Sequence, residues 1–496
     1  MRYSLYMPLL VFLFCACTPP KAEPVSEIPW EGPIQLHPDN PHYFLYQGDA
    51  LALITSAEHY GAVLNTDFDY RTYLSTLADD GMNYTRIFTG VYFEINGESF
   101  GIQNNTLAPM VGSVITPWKQ LENQSGELKY DLSQWNESYF QRLKSFIELA
   151  SSLDIIVEVT LFSSIYRDEH WDISPQNPEN NVNIDHEISR LDAQTLNNGK
   201  LIQYQEALVR KIVQELNGFD NLFFEIQNEP WADRPVGVYN IMNKEEIKPK
   251  DWTFKVTFAD QPVFDWHDRL IDVISEEESH LPKQHLIAQN YCNFRAPIPY
   301  VNDKVSIINF HYAWPDAAYW NYHYDKVLGF DESGFAGSED QVYRRQAWQF
   351  MLSGGGLFNN LDYSFFVGHE DGLGQNTAPG GGSATLRRQL KYLNDFLHSF
   401  ELQNLYPDQT SVGSSPGLIP HVLSDGAGTY AFFLRAVGTT STWLELASGS
   451  GRFQVQTLDP ITGEYQDLGT MEAVDGRLNI DIEIPDGELG VKVVKL

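Results

Sequence analysis

Short apolar runs alternate with longer amphipathic stretches over most of the chain. Eight runs have the length and composition of strands, at residues 50–54, 84–88, 155–161, 222–226, 285–288, 306–310, 327–330 and 357–361. Between them, residues 139–153 place Phe140, Leu143 and Ile147 at helical spacing, and similar patterns cover 201–216, 266–275, 340–352 and 386–400. This alternation indicates βα units around a parallel sheet.

About eight such units predict an α/β fold, a (β/α)8 barrel over residues 34–402. The surplus length follows the second, third, fourth and eighth strands, where it would form the rim of a cleft. The alternative is an open doubly wound sheet, which usually carries a Gly-rich phosphate-binding turn after its first strand. No such turn follows residues 50–54, so the pattern favours the barrel.

The pattern changes near residues 401–410. Within 403–496, short alternating runs at 430–435, 441–447, 453–458, 478–484 and 490–494 are separated by Gly, Asp and Pro turns. These runs predict a small antiparallel β-sandwich. Its turn at residues 458–464, Leu-Asp-Pro-Ile-Thr-Gly-Glu, resembles a turn in the small C-terminal β-domains of many bacterial polysaccharide-degrading enzymes.

The first 33 residues differ from the rest of the chain. Arg2 precedes an apolar run at residues 5–14 that is too short for a permanent membrane span, which predicts a signal peptide over residues 1–16. The run leads into Cys15-Ala16-Cys17, which resembles the lipobox of bacterial lipoproteins and implies that Cys17 is a lipid anchor. Phe14 stands where the lipobox usually has Leu, so ordinary secretion is the alternative.

The remainder of this segment, residues 17–33, is rich in Pro and Glu and is predicted to be a tether. With a lipid anchor, the protein would be exported across the inner membrane and held at the bacterial outer membrane or cell surface. Contact with a membrane is expected only through the anchor.

Composition excludes several classes of partner. The chain has 66 acidic and 33 basic residues, and its formal charge of −33 repels nucleic acid and anionic membranes. Apart from the anchor, only Cys292 remains in the mature chain, so neither a disulfide framework nor a cysteine-based metal site is expected. The stretch His369-Glu370-Asp371 lacks a second ligand cluster, and we expect no metal and no cofactor.

The fourth apolar run ends in a polar group, Gln227-Asn228-Glu229-Pro230. Residues at the carboxyl ends of barrel strands face the common mouth, where barrel enzymes carry their chemistry. A carboxyl group shielded among aromatic rings keeps its proton more readily, which suits Glu229 as a general acid. Asn228 is a candidate hydrogen-bond donor to a substrate hydroxyl.

A strand that ends in Asn-Glu-Pro resembles the fourth strand of glycoside hydrolase clan A, which includes the family 5 cellulases and mannanases. In that clan the glutamate is the acid/base, and a glutamate that ends strand seven is the nucleophile, a position matched by Glu332. Arg86 on the second strand matches an arginine that keeps the nucleophile ionised. His311 and Tyr312 after the sixth strand match a pair that orients the carboxylates.

The resemblance implies a retaining glycoside hydrolase that cleaves β-glycosidic bonds of a polysaccharide or oligosaccharide by double displacement. A separation of about 5–5.5 Å between the two carboxyl groups is expected, whereas roughly 9 Å would indicate inversion. Structural alternatives stay open: Glu229 and Glu332 as loop acids, Arg86 as an ion-pair partner, and His311 and Tyr312 as packing residues.

Other strand ends supply candidate substrate contacts. Aromatic rings stack on the apolar faces of sugars, which makes rim aromatics candidates. Glu58 and His59 follow the first strand, where clan members often hold a residue of the outermost sugar subsite. The candidates are Glu58, His59, Tyr166, Trp171, Trp231, Trp314, Asp362 and Tyr363. Loop packing is the alternative for each aromatic residue.

Two rival functions make different demands on the sequence. A catalytically inactive, glycan-binding lipoprotein would be expected to lack one of the two carboxylates, and both are present. A protease or esterase would need a nucleophile elbow, but the stretch at residues 448–451 does not lie on a strand-to-helix turn. The sequence therefore favours a glycosidase. It leaves open the sugar, the linkage, internal or terminal cleavage, and the oligomeric state.

Overall fold

The structure is a computed structural model. It describes residues 32–95, 97, 99–122, 126, 128–240, 252, 255–413, 415–436, 438, 441–484 and 486–496. The predicted signal peptide, Cys17 and most of the predicted tether lie outside the described residues. Among the described residues, none of the helices combines the length and the apolar character that crossing a membrane requires.

The first 400 residues contain most of the elements. In chain order the strands are β1 (Gln35–Leu36), β2 (Phe44–Tyr46), β3 (Asp49–Leu51), β4 (Leu53–Ala57), β5 (Tyr84–Phe88), β6 (Trp118–Glu122), β7 (Leu128–Trp135), β8 (Ile156–Ser163), β9 (Leu222–Asn228), β10 (Pro235–Asn240), β11 (Lys255–Ala259), β12 (Ile287–Asn293), β13 (Ile307–His311), β14 (Val327–Glu332) and β15 (Leu357–Leu361). The α-helices are α1 (Tyr70–Asp79), α2 (Glu137–Ser152), α3 (Asp168–Ile173), α4 (Leu201–Leu216), α5 (Gln261–Glu278), α6 (Pro315–Asn321), α7 (Asp340–Met351) and α8 (Ala384–Leu397).

Eight parallel strands form the barrel. Hydrogen bonds connect them in the order β4, β15, β14, β13, β12, β9, β8, β5. At the seam between β4 and β5, the Asn83 side chain replaces a strand ladder: its Nδ2 donates to the carbonyl of Ala52 at 2.8 Å and its Oδ1 accepts from the N–H of Ile54 at 2.8 Å. The predicted (β/α)8 architecture is confirmed.

The first and fifth barrel strands differ most from their predicted bounds. The first was predicted at residues 50–54, but β4 begins at Leu53 and ends at Ala57, and Ala50 belongs to β3. Thr55 and Ser56 of β4 are completely buried in the barrel wall. Because both are polar, the pattern of apolar residues did not mark them as strand. β12 similarly continues to Asn293, beyond the predicted end at residue 288. The polar residues Gln289 and Asn290 interrupt its apolar run.

The helices begin where local sequence favours a helical start. Asp260 caps α5 by accepting a hydrogen bond from the N–H of Val263, and a proline occupies the first turn. Ser383 caps α8 through the N–H of Leu386 at 3.0 Å. Each long helix buries one apolar face on the sheet, as α2 does with Phe140, Phe146 and their neighbours. Helices α1, α3 and α6 were not among the predicted segments.

The amino end of the barrel is sealed by the small sheet β1–β2–β3. Ile34 and Phe44 of this region pack in one apolar cluster with Leu53, Tyr84 and Phe223 from the starts of barrel strands. The long segments after β5, β8, β9 and β15 lie at the opposite, carboxyl end. Polar side chains at the carboxyl ends of the strands therefore face these segments.

The C-terminal strands form the predicted antiparallel β-sandwich. They are β16 (Tyr406–Pro407), β17 (Leu418–Ser424), β18 (Thr429–Ala436), β19 (Ser441–Leu446), β20 (Arg452–Leu458), β21 (Tyr465–Glu472), β22 (Leu478–Glu483) and β23 (Glu488–Lys495). One sheet has the order β16–β17–β18–β23–β20–β21, and β19 pairs with β22 in the other. Residues such as Phe432, Leu444 and Ile480 form the core between the sheets.

The sandwich packs on the barrel helices α7 and α8. Trp348 of α7 stacks on Phe433 of β18, with ring centroids 5.3 Å apart. Beside this contact, Arg344 donates two hydrogen bonds of 2.9 Å to the carboxylate of Glu488, and Arg345 donates one of 2.6 Å. Glu488 is 2% exposed, so this ion pair is a buried part of the contact between the domains.

We expect Glu488→Gln to destabilise the protein by about 3 kcal/mol, because Arg344 would remain buried without its counter-charge. The measurement is the urea dependence of unfolding, followed by tryptophan fluorescence. Glu483→Gln, at an exposed position of neighbouring β22, is the matched control and should leave the unfolding midpoint unchanged. Equal midpoints for the two variants would contradict the role of the ion pair.

Candidate active site

Three strand ends bring the predicted residues together at the carboxyl end of the barrel. Glu229 directly follows β9, His311 ends β13, and Glu332 ends β14. One atom of each of these three side chains lies within 4.8 Å of an atom of the other two. Glu229, Glu332, Asn228 and Tyr312 line a cavity of about 570 Å³, and His311 lies buried beneath it.

Glu332 is held by four groups. Its Oε2 accepts a 2.9 Å hydrogen bond from the Tyr60 hydroxyl, and its Oε1 accepts one of 2.6 Å from the Tyr312 hydroxyl. Arg86 Nη1 lies 3.6 Å from Oε2, and His311 Nδ1 lies 3.5 Å from Oε1. Burial raises the pKa of Glu332, but the charge and hydrogen bond of His311 and the charge of Arg86 outweigh it and lower the pKa to about 2. Glu332 is therefore a carboxylate at neutral pH.

Glu229 has hydrogen-bond donors at both carboxyl oxygens. Its Oε1 lies 3.1 Å from His311 Nδ1 and 3.2 Å from the Tyr312 hydroxyl, while its Oε2 accepts a 2.9 Å hydrogen bond from the Tyr166 hydroxyl. The Tyr312 hydroxyl thus contacts both Glu229 and Glu332. The two carboxyl groups are close neighbours on one side of the cavity.

The backbone is strained where the strands meet the cavity. Tyr60, Tyr166, Glu229, Phe294 and Tyr312 have φ between +47° and +63°, within three residues of the end of β4, β8, β9, β12 or β13. Such a conformation costs a residue other than glycine about 1 kcal/mol or more. Four of these five side chains line the cavity, so the strained turns direct functional groups into it.

The strained peptide of Glu229 is held in place by neighbouring strands. Its N–H donates to Asn290 Oδ1 at 3.2 Å, and its carbonyl accepts a 2.6 Å hydrogen bond from the hydroxyl of Ser164. Asn228, just before it, accepts from Arg86 Nη2 at 2.9 Å and donates to the Tyr166 hydroxyl at 2.7 Å. The pair Asn228–Glu229 is therefore fixed through strands β5, β8 and β12.

Arg86 lies at the centre of a buried polar layer under the cavity. Its guanidinium forms a hydrogen-bonded ion pair with Glu225 and lies 3.4 Å from Asp331 and 3.8 Å from Glu158. Burial and the charge of Glu225 raise the pKa of Glu158 well above its usual value. Arg86 also packs against the ring of Tyr60, 4.7 Å from its centroid. The arginine is thus immobilised beneath the two catalytic candidates.

Two groups in the described part of the chain have the spacing that a shared cation needs. One consists of Glu229, His311 and Glu332, and the other of Glu158, Glu225 and Asp331. In the first group, tyrosine hydroxyls and an imidazole N–H already contact the carboxyl oxygens. In the second, the Arg86 guanidinium supplies the positive charge. Both arrangements fit carboxylates stabilised by protein donors rather than metal ligands.

His311 is placed between Asp331 and the carboxylates of the cavity. Its Nε2 lies 3.5 Å from Asp331 Oδ1, on the side away from Glu229. Burial lowers the pKa of His311, but the charges of Glu332 and Asp331 outweigh it and raise the pKa well above the usual value. His311 is therefore an imidazolium at neutral pH and loses its proton only at alkaline pH.

Asp331→Asn is expected to move the titration of the His311 imidazole, followed by NMR, to lower pH by about one pH unit. The substitution removes one of the two charges that raise the pKa of His311, so the imidazolium deprotonates earlier as the pH rises. Asp316→Asn, on α6 outside the cavity, is the control. An unshifted titration of His311 in Asp331→Asn would contradict this role of Asp331.

Several predicted substrate contacts line the cavity or support it. His59 lines the cavity and contacts Tyr60 and Tyr363 edge-on. Trp231 lines the cavity with its ring edge-on to His311, at a centroid distance of 5.4 Å. Together with Asn228 they agree with the positions expected from the strand ends.

Four other candidates do not line the cavity. Glu58 is completely buried and accepts hydrogen bonds from the N–H groups of residues 61 and 62, so it shapes a loop. Asp362 is paired with Arg387. Trp171 packs in the main apolar core, and Trp314 is exposed beside Arg295. None of these four side chains lines the cavity, and Tyr363 does not line it either, so a substrate contact by these residues stays a prediction.

Tyr60, Glu94 and Trp252 are among the cavity-lining residues that sequence reasoning missed. Trp252 accompanies the flap, which we define as β10 and β11, and β11 pairs with β12 through Phe258 and Cys292. Trp252 is 42% exposed and stacks parallel to Phe294 at 5.9 Å. The surplus length after the fourth strand was the available signal, but it did not identify the residue.

No protein-family model matches the chain, and a search of curated proteins finds no match. Solved structures do match. A Bacteroides vulgatus protein proposed to be a glycoside hydrolase has a TM-score of 0.61 at 13% identity, with 95% of this chain and 83% of that chain covered. A glycoside hydrolase family 5 protein from the same organism has a TM-score of 0.60 at 12% identity, with 94% and 95% covered.

The structural neighbours are glycoside hydrolases. A third, described as a glycoside hydrolase, has a TM-score of 0.57 at 12% identity and covers 94% of this chain and 98% of its own. Because the matches extend over nearly the whole chain, they include both the barrel and the sandwich. At these identities they establish a shared fold, and the arrangement of side chains has to support the chemistry by itself.

Proposed function

We propose that the protein is a retaining glycoside hydrolase that cleaves β-glycosidic bonds. The observation that carries the proposal is the pair Glu229–Glu332, whose nearest carboxyl atoms lie within 4.8 Å and which share the Tyr312 hydroxyl. Retaining enzymes separate their carboxyl groups by about 5–5.5 Å, whereas inverting enzymes need about 6.5–9.5 Å to admit water. The short separation supports double displacement.

In the first step, Glu332 attacks the anomeric carbon while Glu229 donates a proton to the oxygen of the leaving group. The C–O bond to the leaving group breaks as the bond to Glu332 forms. Asn228 lies beside Glu229 in the cavity lining, where its amide is placed to bind a substrate hydroxyl. In the second step, Glu229 takes a proton from water, and the hydroxide displaces Glu332 from the sugar.

The surrounding charges fit both steps. The mechanism requires Glu332 to be ionised and Glu229 to carry a proton before the first step, and afterwards Glu332 is esterified and Glu229 is negative. His311 lies 3.1 Å from Glu229 and 3.5 Å from Glu332, so one imidazolium stabilises whichever carboxylate is ionised. The site therefore keeps one negative charge beside the same positive charge throughout the cycle, which reduces the cost of moving the proton.

The aromatic lining supports a carbohydrate as the substrate, because sugars present apolar C–H faces to aromatic rings. Tyr60, Phe88, Trp231 and Trp252 all line the cavity. Trp252 lies between the two strands of the flap, and the flap follows β9, the strand that precedes the acid/base Glu229. The leaving group binds on this side of the cavity. We therefore propose an oligosaccharide or polysaccharide whose leaving part extends over the flap.

We expect Trp252→Ala to raise KM for a β-linked oligosaccharide about tenfold, through loss of a stacking platform, with little change in kcat. The KM for an aryl monoglycoside should change less, because its leaving group is short. Trp443→Ala, at a similarly exposed position on the sandwich, is the control. Equal KM values in the two variants would contradict a substrate contact by Trp252.

The proposed reaction is tested by the stereochemistry of its product. Proton NMR during hydrolysis of a panel of β-glycans and aryl β-glycosides should show the β-anomer first, before mutarotation. Appearance of the α-anomer first would overturn the retaining mechanism. Glycan binding without hydrolysis by the unaltered protein would instead favour the alternative, a glycan-binding protein.

We also propose export and lipid anchoring through Cys17, based on the signal-peptide pattern and the lipobox-like sequence. In a bacterial host, the protein should partition with membranes and incorporate labelled palmitate. Cys17→Ser should abolish both properties while leaving glycosidase activity unchanged. Palmitate incorporation that persists in the variant would contradict Cys17 as the anchor.

A further inference from the structure

Three loops join to form a wall on one side of the cavity. They follow β4, β5 and β15, and we call them the wall loops, residues 58–69, 89–117 and 362–383. The hydroxyl of Thr106 donates to the carbonyl of His59 at 2.8 Å, and Asn65 Nδ2 donates to the carbonyl of Thr106 at 3.2 Å. The N–H of Gln103 donates to the carbonyl of Thr377 at 2.9 Å, which connects the second and third wall loops.

The wall loops approach one another closely. A Cβ atom at Gly61 would lie 2.1 Å from the carbonyl oxygen of Thr106, so no larger residue fits at this contact. The carboxylate of Glu58 accepts hydrogen bonds from the N–H groups of Gly61 and Ala62 at 3.0 and 2.9 Å. Glu58 thereby fixes the shape of the first wall loop at the point where this loop contacts Thr106 of the second. The wall is a packed part of the fold and not a loose rim.

The wall presents a polar group that the proposed mechanism does not use. Glu94 lines the cavity, although only 4% of its surface is exposed. Its Oε1 accepts from the Tyr92 hydroxyl at 3.0 Å, and its Oε2 accepts from Asn105 Nδ2 at 2.5 Å. Its N–H donates to the carbonyl of Leu107 at 2.8 Å. The carboxyl group of Glu94 is thus fixed in place while one face remains open to the cavity.

Two further polar atoms near Glu94 have unused hydrogen-bonding capacity. His59 Nδ1 and the Tyr363 hydroxyl are buried, and neither has a hydrogen-bond partner among the described residues. His59 lines the cavity with Glu94. Burial lowers the pKa of His59 to about 4, so its neutral imidazole both donates and accepts. Buried polar atoms without partners are costly, and a ligand's hydroxyl groups would satisfy them.

The strand order places the wall opposite the leaving group. β15, β4 and β5 are successive positions around the barrel, and β9, which carries Glu229, lies across from β15. Glu229 protonates the leaving oxygen, so the leaving group lies on the β9 side. The sugar attacked by Glu332 therefore extends toward the wall, and Tyr60 of the first wall loop already contacts Glu332.

We propose that the wall closes the glycone side of the cavity, so that the enzyme cleaves from the non-reducing end of a β-glycan, and that Glu94 binds hydroxyl groups of the terminal sugar. This inference rests on the proposed function. A carboxylate that faces a sugar accepts hydrogen bonds from adjacent hydroxyls, and His59 completes the same surface. Leu107 and Phe100 of the wall line the cavity, and we expect them to block a chain that continues past the terminal sugar.

The first test is the size of the products. A β-glycan hydrolysed by the unaltered protein, and sampled below a few per cent conversion, should yield one short sugar with little loss of viscosity. Reducing-end-labelled oligosaccharides should shorten stepwise from the unlabelled end. A rapid fall in viscosity with mixed products would overturn the closed wall while leaving the proposed function intact. Absence of hydrolysis on every glycoside would refute the proposed function itself.

The second test is Glu94→Gln, with Glu122→Gln as the control at an exposed position of β6, which directly follows the same wall loop. We expect kcat/KM to fall tenfold or more in Glu94→Gln at an unchanged thermal midpoint, because the amide replaces one of the two acceptor oxygens for substrate hydroxyls with a donor. Activity equal to that of the control would overturn the role of Glu94. A parallel loss of activity and thermal midpoint, restored together by added stabilisers, would also overturn it, since the residue would then be structural.

Discussion

Glu332→Gln is expected to lower kcat by about 10⁵-fold, the largest effect of any single substitution in the cavity. The amide retains the shape of the side chain and the contacts with Tyr60 and Tyr312, but it does not attack the anomeric carbon. Initial rates on an aryl β-glycoside, measured at saturating substrate, give the change directly. Binding should survive, so calorimetry with an oligosaccharide would still show a complex.

The control for this substitution is Glu339→Gln, at an exposed position seven residues further along the chain. Its rates should equal those of the unaltered protein. Glu332→Ala provides a second check, because the space it leaves admits azide, which attacks from the same face and yields an α-glycosyl azide. Residual activity in Glu332→Gln above about a hundredth of normal would contradict its assignment as the nucleophile.

The sequence identified the catalytic candidates because their positions follow from strand ends. A parallel strand places its last residues at one end of the barrel whatever the surrounding loops do. Glu229, His311 and Glu332 therefore meet because β9, β13 and β14 end together, as the apolar runs predicted. Arg86 differs in detail: its shortest contact is with Glu225, and its guanidinium lies 3.6 Å from Glu332.

The loops were harder to predict because a loop residue's role depends on partners that are remote in sequence. Asp362 lies at the end of a strand, as Glu332 does. However, Arg387, 25 residues later, pairs with it, so Asp362 does not line the cavity. Glu58 likewise supports a loop backbone. Conversely, Tyr60 contacts Glu332 from a left-handed backbone conformation. In a sequence this conformation is signalled by Gly or Asn at the position itself, and here the residue is Tyr. Strain of this kind is maintained by tertiary contacts.

The barrel interior also contains more buried polar side chains than the apolar pattern predicted. Asp331 directly precedes Glu332 in the sequence, and the structure places it behind His311 and beside Arg86. A regular strand would turn adjacent residues to opposite sides of the barrel wall, but the register between β13 and β14 shifts here, so that Phe310 pairs with Phe330 and His311 with Glu332. Here both acids act through His311, one from below and one from the cavity.

Glu229→Gln should have an effect that depends on the leaving group. For a natural β-glycoside, whose leaving oxygen needs a proton, we expect the rate to fall about 10³-fold. For an aryl glycoside with an acidic phenol, glycosylation of Glu332 should proceed nearly unchanged, because that leaving group departs without protonation. Deglycosylation should then be slow, since no carboxylate activates water. A burst of phenol equal to the enzyme concentration should precede a slow steady state.

The burst discriminates an acid/base from a residue that merely shapes the site. Loss of shape would slow both substrates to a similar extent and give no burst, and that result would contradict the assignment of Glu229. Mass spectrometry of the variant during turnover should show one added glycosyl group, which Glu332→Gln should never show. Glu169→Gln, at an exposed position after β8, is the control and should behave normally. Together, Glu332→Gln and Glu229→Gln separate nucleophilic attack from proton transfer. His311 and Tyr312 contact both carboxyl groups, which implies that these two roles are divided between Glu332 and Glu229.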